Sequence, residues 1–391
     1  MISLAEAQAR LLTLAAPLPV ETARLIDAAG RWAAEPVIAK RTQPLRDLSA
    51  MDGYAISHAS LPGPWRVVGE SAAGASFPGT VGVQEAARIF TGAALPAGTD
   101  TIVIQENVTR NGDRIAIDPD LAILRNQHVR GAGGDFHEGQ VLIDAGEPLT
   151  PARLALAAMG GHGSLAVCRR PSISIVATGN ELVPPGETHG PDQIPESNAT
   201  MIAAMLRDTR CTVTSPGIVA DDLDVLTATF AACDTDVLVT CGGASVGDHD
   251  LVRPALEAAG AKLDFWKVAM RPGKPVLAGR MRDTTVLGLP GNPVSAFVTA
   301  FLFLKPLVAH LSGARDPWPR RSTARLGEAL LANGPRLDHV RARIDGDVAF
   351  PAAINDSAQL AALASCDALI VRESGASAAF PGDTVEVVRI A

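Results

Sequence analysis

Apolar residues at the start of the chain recur every three or four positions. The recurring positions are Leu4, Ala7, Leu11 and Leu14. This spacing places them on one face of an α-helix. A second helix is predicted from Glu21 to Ala29, because the Pro17-Leu-Pro19 break precedes it and Gly30 can close it. The pattern therefore predicts a helical N-terminal segment, residues 1–44.

Beyond this segment the apolar residues fall in short β-type runs separated by Gly, Pro and Asp turns. Predicted strands cover residues 65–68, 85–90, 101–105 and 114–117. The pattern indicates an inserted β lobe over residues 45–130. A strand at 141–143 and a helix at 151–159 follow, and residues 131–169 are predicted to return to the N-terminal domain.

Strands and helices alternate from Pro171 onward. Predicted strands cover residues 173–177, 211–213 and 236–240, and predicted helices cover 199–207, 222–232, 251–259 and 293–309. Such alternation is typical of an α/β domain with a mostly parallel sheet covered on both faces, here residues 170–312. Short β runs at 368–371 and 384–388 then predict a C-terminal β domain, residues 313–391. The fold class is multidomain α/β plus β.

Composition narrows the class of protein. A chain of 391 residues with 47% hydrophobic content can form several cores, and a net charge of −8 argues against a general nucleic-acid binder. The five cysteines contain no Cys-x-x-Cys pair, so neither a zinc site nor a disulfide framework is indicated. The start lacks a cationic leader, and no run approaches 18 uninterrupted apolar residues. We expect a cytoplasmic, soluble protein with small-molecule partners, no nucleic acid and no membrane.

Two carboxylates follow a glycine-rich turn in Gly242-Gly-Ala-Ser-Val-Gly-Asp-His-Asp. The turn comes after an apolar strand, where the glycines allow close backbone approach to a phosphate. Asp248 and Asp250 offer the hard oxygen ligands that Mg²⁺ prefers. The turn lacks the Gly-Lys-Ser/Thr ending of a Walker P-loop, and taken alone it is equally compatible with a tight strand-to-helix connection.

Three cations lie within eight residues in Lys267-Val-Ala-Met-Arg271-Pro-Gly-Lys274. Lys supplies a mobile point charge and Arg a planar fork, so the cluster predicts a clamp for an oxyanion, with a solvated turn as the alternative. The following motif, Gly288-Leu-Pro-Gly-Asn292-Pro-Val-Ser295, places Asn292 at a helix N-cap. The helix start and the Ser295 hydroxyl could then face an anion.

Two further acidic residues stand at the ends of predicted elements in the α/β region. Thr178-Gly-Asn-Glu181 comes after the first strand of the α/β region, and Asp221 precedes a helix with Asp224 three residues on. Ligands of such sheets bind outside the carboxyl ends of the strands. Glu181 could therefore contribute to the same cation site, whereas an N-cap is the default role of Asp221, with a nucleotide or metal ligand as its functional alternative.

Another motif, Ser49-Ala-Met-Asp52-Gly-Tyr-Ala, contains the only tyrosine of the chain and predicts a turn that leads into a strand. Thr91, Arg130 and Asp135 lie in similar turn-like settings. Local sequence assigns no chemistry to any of these residues.

Taken together, these motifs occur in the order seen in molybdopterin molybdenumtransferases. The chain resembles the MoeA family, including the E domain of gephyrin, over essentially its full length. The resemblance implies a homodimer of four-part subunits, each with a helical segment, an inserted β lobe, a molybdopterin-binding α/β domain and a C-terminal β barrel. It also implies that molybdate is inserted into adenylylated molybdopterin, that AMP is released, and that Mg²⁺ assists.

Carried over by position, the resemblance implies a role for each motif residue. Catalytic roles would fall to Asp52, Glu181, Asp221 and Asp250, and the metal ligands would be Asp221, Asp248 and Asp250. Substrate would be bound by Thr91, Arg130, Asp135, Ser245, Lys267, Arg271, Lys274, Asn292 and Ser295. The cleft would lie between the α/β domain of one subunit and the β lobe of the other. A molybdopterin adenylyltransferase and molybdoenzyme chaperones are expected partners.

Two departures from the family pattern leave alternatives open. Arg271 stands where many relatives carry Lys, and the C-terminal domain has Asn355-Asp-Ser357 where the family tends to show a Gly-Ser start. An oxyanion contact from that domain would then come from Ser357, or from Arg341 or Arg343. The alternatives to the transferase are a carrier or scaffold for the finished cofactor without transferase activity, and a molybdopterin adenylyltransferase.

Overall fold

The computed structural model describes residues 1–188, 190–242, 251–352, 356 and 358–390, and it leaves out the side chains of Phe265 and Trp266. Contacts divide the chain into two units. The first unit contains Met1–Glu35, Ala145–Thr150 and Leu165–Ala391, and the second contains Pro36–Asp144 and Pro151–Ser164. These units group several of the predicted domains, whose own boundaries stay predictions.

The first predicted helix forms as α1 (Leu4–Thr13). The Ser3 hydroxyl caps it by accepting a hydrogen bond from the Glu6 N–H at 3.1 Å. Its apolar stripe, Leu4, Ala7 and Leu11, is buried.

The second predicted helix, residues 21–29, is wrong. The chain forms a strand there, β1 (Val20–Arg24), which pairs with Ser164–Cys168 and is followed by turns up to Gly30. Buried Arg31 donates hydrogen bonds to the Glu21 carboxylate, at 2.7 Å, and to the Cys168 carbonyl. Pairing with a distant strand thus overrides the local helical spacing.

The second unit is built around a six-stranded sheet. Its elements are β2 (Val37–Ile38), β3 (Leu48–Ser49), β4 (Gly53–Ile56), β5 (Trp65–Ser71), β6 (Glu85–Ile89), β7 (Thr101–Ile104), β8 (Thr109–Asn111), β9 (Arg114–Ala116), β10 (Val129–Arg130), β11 (Val141–Ile143) and α2 (Pro151–Met159). The sheet order is β7-β4-β6-β5-β9-β8, while β3 pairs with β10 and β2 with β11. Tyr54, Ile56, Trp65 and Val103 pack in its core. The predicted β lobe is confirmed.

The α/β domain of the first unit contains a second six-stranded sheet. Strand β12 (Ser164–Cys168) precedes this domain and pairs with β1. The elements of the domain are β13 (Ser172–Thr178), β14 (Leu182–Val183), β15 (Ile194–Pro195), α3 (Asn198–Leu206), β16 (Thr212–Val219), α4 (Leu223–Ala231), β17 (Val237–Cys241), α5 (Val252–Ala258), β18 (Lys262–Lys267), β19 (Met270–Arg271), β20 (Pro275–Met281), β21 (Thr284–Leu289), α6 (Pro293–Thr299) and α7 (Lys305–Leu311). A π-helical turn, Ala300–Leu304, joins α6 to α7.

The sheet order is β16-β13-β17-β21-β20-β18. The four strands β16, β13, β17 and β21 run parallel, as predicted. β20 then pairs antiparallel with β21, and β18 pairs antiparallel with β20. Alternate residues of β13 face opposite layers, with Ile173 and Ile175 packed in one core and Val176 in the other. The first core also contains residues of α1, α3, α6 and α7, and the second contains residues of α4 and α5.

One helix among the described residues, Pro293–Leu311, is long and apolar enough to cross a membrane. Its most apolar window is 78% buried inside the fold, where it packs in the first core of the α/β domain. A helix that is apolar on every side is also what a buried core helix requires.

The C-terminal domain is a closed five-stranded barrel. Its strands are β22 (Arg321–Leu326), β23 (Leu337–Asp345), β24 (Val348–Pro351), β25 (Ala368–Arg372) and β26 (Thr384–Arg389), with a short helix α8 (Leu360–Ala364) between β24 and β25. The order is β23-β24-β22-β26-β25, and β25 pairs with β23 to close the barrel. β19 of the α/β domain pairs in parallel with β23, which sets Arg271 beside Asp338.

Candidate active site

A cleft of about 680 Å³ lies at the carboxyl ends of β13 and β17. Three carboxylate residues line it, Glu181, Glu196 and Asp221, and no Lys or Arg is among the described residues that do. We call it the acidic cleft. Further lining residues include Thr178, Gly179, Leu182, Asn198, Cys241, Gly242, Pro275, Pro290, Gly291, Asn292 and Pro293. The position agrees with the expectation that ligands bind where parallel strands end.

Two glycines allow close packing around Glu181 at the ends of β13 and β17. Gly242, which follows β17, has a φ of 105°, and a Cβ atom there would lie 2.7 Å from the Thr178 carbonyl at the end of β13. Only glycine allows this approach. In the turn after β13, a Cβ atom at Gly179 would lie 2.4 Å from a carboxylate oxygen of Glu181. The Glu181 carboxylate therefore rests directly against the backbone of this turn.

Asp221 does not cap the helix that follows it. Asp222 is the N-cap of α4, and its carboxylate accepts hydrogen bonds from the backbone N–H groups of Asp224 and Val225, both at 3.0 Å. The backbone N–H of Asp221 donates to the Asn180 side-chain oxygen at 3.1 Å. The default N-cap interpretation of Asp221 is therefore wrong, and its carboxylate lines the acidic cleft instead.

Glu196 and Cys241 line the cleft without having been predicted. The Glu196 carboxylate is buried and accepts a hydrogen bond from the Ala199 N–H at 2.6 Å, near the start of α3. Burial raises the pKa of the Cys241 thiol well above its usual range, and the charge of Glu196 acts in the same direction. The Cys241 thiol is therefore un-ionised at neutral pH. The signal in the sequence that could have identified Glu196 is its position just ahead of the helix predicted at 199–207.

A second cavity, of about 310 Å³, adjoins the acidic cleft and shares Pro275 and Asn292 with it. We call it the cationic pocket, because four cationic residues and one carboxylate residue line it. These are Arg271, Lys274, Arg336, Arg341 and Asp338, and they are joined by Asn292, Ser295 and His339. The C-terminal domain contributes four of these residues, Arg336 from just before β23 and Asp338, His339 and Arg341 from β23 itself.

Arg271 lies in this pocket, but its guanidinium is held by a neighbour. Its Nε donates to Asp338 Oδ2 at 2.9 Å, and its Nη2 donates to the same oxygen. The Asp338 side chain is only 7% exposed, whereas that of Arg271 is 52% exposed. Arg271 therefore brings positive charge to the pocket, while part of its hydrogen-bonding fork is used by a buried carboxylate.

The helix start predicted from Asn292 and Pro293 is confirmed. Asn292 occupies the N-cap position of α6 and Pro293 lies in the first turn, although the Asn292 side chain makes no capping hydrogen bond. Ser295 is buried and lines the cationic pocket. His339, on β23, is buried in the wall of the same pocket, and this burial lowers the pKa of its imidazole to about 4. His339 is therefore a neutral residue beside four cations.

Other predicted residues lie elsewhere or outside the description. Lys267 ends β18 and is not among the described residues that line either cavity, so its binding role stays a prediction. Arg341 lines the cationic pocket, whereas Arg343 is exposed and stacks on Phe350 at 5.2 Å. The predicted residues Ser245, Asp248, Asp250, Asn355 and Ser357 lie outside the described residues.

In the second unit, Asp52 and Thr91 form a pair. The Asp52 carboxylate accepts hydrogen bonds from the Thr91 N–H at 2.8 Å and from its hydroxyl at 2.9 Å. These two hydrogen bonds hold the pKa of the Asp52 carboxyl below its usual range, and the one from the N–H has the larger effect. Arg88 adds positive charge nearby and stacks on the rings of Tyr54 and Phe90, at 5.1 and 4.7 Å.

Arg130 and Asp135 are both exposed in the second unit. Arg130 lies on β10 opposite Leu48 of β3, the strand that leads to Asp52. The Asp135 N–H donates to the Gln43 carbonyl at 3.0 Å. The structure thus places both side chains at the surface of this unit, and their substrate contacts stay predictions.

Comparison with known proteins covers both units. The family model described as the MoeA N-terminal region (domain I and II) matches residues 2–161, the one described as a "probable molybdopterin binding domain" matches residues 174–310, and the one described as the MoeA C-terminal region (domain IV) matches residues 323–390. The chain belongs to the MoeA family.

Relatives of this MoeA chain are similar over most of its length. It is 36% identical to a molybdopterin molybdenumtransferase of Haemophilus influenzae over 321 residues, which cover 81% of this chain and 79% of that one. It is 34% identical to a protein of the same name from Nostoc sp. over 380 residues, 92% of this chain and 86% of that one. A crystal structure titled as molybdopterin biosynthesis MoeA protein from Pyrococcus horikoshii matches with a TM-score of 0.81 and 26% identity, covering 100% of this chain and 99% of that one.

Proposed function

We propose that this protein is a molybdopterin molybdenumtransferase, which inserts molybdate into adenylylated molybdopterin and releases AMP and the molybdenum cofactor. Membership of the MoeA family across all three matched regions supports the reaction class. The observation that carries the proposal is the pair of adjoining cavities of opposite charge, which share Pro275 and Asn292. Such a pair of cavities suits a substrate that has a heterocyclic nucleotide at one end and, at the other, the group into which the oxyanion is inserted.

The cationic pocket would bind the oxyanion. Lys274, Arg336 and Arg341 line it with positive charge, and Ser295 adds a hydroxyl. Molybdate and the pyrophosphate of the substrate are both anions, so both are attracted to this pocket. Because Asp338 holds part of the Arg271 fork, we assign Arg271 mainly an electrostatic contribution.

The acidic cleft would bind the nucleotide part together with Mg²⁺. Asp221 has the donor chemistry that Mg²⁺ prefers, and its carboxylate is not used in helix capping. It would hold the ion with Asp248 and Asp250, while Glu181 lines the same cleft. The described residues alone contain no cluster of three His, Cys, Asp or Glu side chains arranged for a metal. When bound, Mg²⁺ would neutralise the pyrophosphate and favour the departure of AMP.

We also propose that the protein acts as a homodimer. Asp52, Thr91, Arg130 and Asp135 would then act on the substrate from the second subunit, as the family resemblance implies. The Asp52–Thr91 pair supports this role, because its hydrogen bonds keep a partly exposed carboxylate ionised and oriented. Cytoplasmic location, and partnership with a molybdopterin adenylyltransferase and with molybdoenzyme chaperones, stay proposals.

The test of the reaction is AMP release from the purified protein given adenylylated molybdopterin and Mg²⁺, with and without molybdate. Release that depends on molybdate and yields active cofactor is the expected result. Tight pterin binding without AMP release would instead support the carrier alternative. Formation of adenylylated molybdopterin from molybdopterin and ATP would support the adenylyltransferase alternative.

The test of the shared site is a mixed dimer. Asp52→Asn and Asp221→Asn lie in different units of the chain. Each homodimer is expected to be inactive, because every site in it lacks one of the two proposed carboxylates. If a site draws on both subunits, a mixed dimer retains one site with both residues intact. Co-expression should then restore up to about half of the wild-type activity per dimer. Absence of any restoration in a dimer shown to be mixed would contradict the shared site.

A further inference from the structure

Two oxygen atoms in the wall of the acidic cleft are buried and have no hydrogen-bond partner. They are Thr178 Oγ1, at the end of β13, and Asn198 Oδ1, at the first residue of α3. Both residues line the cleft, and Thr178 is only 4% exposed. Solvent reaches neither atom, so water does not satisfy them.

Leaving such atoms without partners costs free energy, and native proteins pair most of them. Burial within the sheet is one way in which an unpaired atom arises, as Thr240 Oγ1 of β17 shows. Thr240, however, is not among the described residues that line the acidic cleft. Thr178 and Asn198 differ from it because they share a cavity of ligand size.

The hydrogen-bonding capacity of the two atoms specifies the ligand group. The Asn198 amide nitrogen donates to the Gly291 carbonyl at 2.6 Å, so the remaining side-chain oxygen can only accept. It needs an N–H or O–H donor. An anion offers no such donor, and the buried Glu196 carboxylate in the same cleft disfavours one. Leu182, Pro290 and Pro293 line the cleft with apolar surface, which suits a planar ring.

We infer that Thr178 and Asn198 form a subsite for the exocyclic amino group of a planar heterocycle in the substrate, an inference that rests on the proposed function. On binding, the Asn198 side chain shifts enough to bring its closed-off Oδ1 to the cleft surface, where it accepts a hydrogen bond from the amino group, and the Thr178 hydroxyl pairs with an adjacent ring atom. No hydrogen bond fixes the Thr178 hydroxyl, so rotation between staggered rotamers can turn it toward the ring. Adenylylated molybdopterin carries two such heterocycles, adenine and the pterin.

Direct binding to the full-length protein distinguishes these sources. AMP is compared with IMP, which has an oxo group in place of the amino group, and 6-hydroxymethylpterin is compared with 6-hydroxymethyllumazine, which differs in the same way. We expect about a tenfold preference for the amino compound in one of the two pairs, measured by titration calorimetry. A preference in the first pair assigns the subsite to adenine, and one in the second assigns it to the pterin.

Thr178→Val and Asn198→Ala should each reduce that preference to about one, whereas Thr178→Ser should retain it. Thr178→Val has the shape of the original residue and loses no hydrogen bond seen in the fold, so it should be at least as stable as the wild type. Thr240→Val is the matched control, since it also removes a buried unpaired hydroxyl but should leave the preference unchanged.

Absence of a preference in both pairs, or a preference that survives Thr178→Val, overturns the subsite. If Asn198→Ala does not fold, Thr178→Val decides alone. Because these readouts are binding constants, failure of the subsite is separable from failure of the proposed function, which would appear as absent AMP release from a protein that still distinguishes the amino compounds.

Discussion

The ion pair between Arg271 and Asp338 should respond asymmetrically to mutation. Arg271→Ala removes the guanidinium from a carboxylate whose side chain is only 7% exposed. Asp338→Asn instead leaves a guanidinium whose side chain is 52% exposed, and the new amide oxygen can still accept a hydrogen bond. The same pair is disrupted in both variants, yet Arg271→Ala leaves a buried carboxylate without its hydrogen-bonded cation, whereas Asp338→Asn leaves no buried charge.

The expected sizes follow from this difference in burial. Removing one partner from a buried ion pair costs about 3–5 kcal/mol, because the other charge stays in the interior. A cation that is half exposed can be hydrated, so the cost of Asp338→Asn should be about 1 kcal/mol or less. Arg271→Lys should fall between the two, since it keeps the charge but not both of the N–H groups that reach Asp338.

Urea unfolding of the three variants measures these costs. Because a chain of two units need not unfold in one step, amide hydrogen exchange of β23, residues Leu337–Asp345, should locate the loss. We expect Arg271→Ala to lower the free energy of unfolding by about 2–4 kcal/mol more than Asp338→Asn does. Equal losses in the two variants, or a loss below about 0.5 kcal/mol in Arg271→Ala, would refute the argument from burial.

Other predictions concern charge and catalysis. Burial lowers the pKa of His339 to about 4, whereas an imidazole of the unfolded chain has a pKa near 6.5, so between these values the unfolded chain binds the proton and the folded chain does not. The free energy of unfolding should therefore fall as the pH drops from 6.5 toward 4. In His339→Gln, a plot of the urea midpoint against pH should be flatter over that range. Thr91→Val should raise the pKa of Asp52 part of the way to its ordinary value, because the Thr91 N–H remains, and carboxyl ¹³C NMR should show this. Lys274→Ala should raise the molybdate concentration for half-maximal insertion by about tenfold or more, and an unaltered response would count against the clamp. Asp250→Ala should abolish Mg²⁺-dependent AMP release without loss of fold, and unchanged turnover would refute the metal assignment.

Sequence patterns could place part of the acidic cleft before the structure was known. Glu181 follows a predicted strand, and ligands of such sheets bind where parallel strands end. The local sequence of Asp221 instead predicts a helix N-cap, and only the family resemblance implies a ligand role for it. In the structure β13 and β16 are neighbours, with Thr178 opposite Val219, so the two acidic residues lie just beyond adjacent strand ends. Strand alternation alone therefore predicts the position of Glu181, which requires no knowledge of side-chain packing, but it does not predict that of Asp221.

The cationic pocket could be predicted only in part, because half of its cations come from a distant segment. Arg271 and Lys274 form a cluster in the sequence, and Arg341, on β23, is one of three alternatives considered for a contact from the C-terminal domain. Arg336, from just before β23, is not predicted at all. The four cations are brought together by the pairing of β19 with β23, a contact between residues more than 60 positions apart. Periodicity is a local signal and contains no information about such a partner. The wrong helix at 21–29 has the same cause, since a distant strand decides its conformation.

The separation of charge within the first unit limits where each part of a substrate can bind. Among the described lining residues, three carboxylates face the acidic cleft, while four cations and one carboxylate face the cationic pocket. That one carboxylate, Asp338, is buried against Arg271, so the pocket retains an excess of positive charge. Were the two sets mixed, they would form ion pairs with one another and leave little charge for a ligand. Pro275 and Asn292, which belong to both cavities, mark the boundary that a substrate spanning them has to cross.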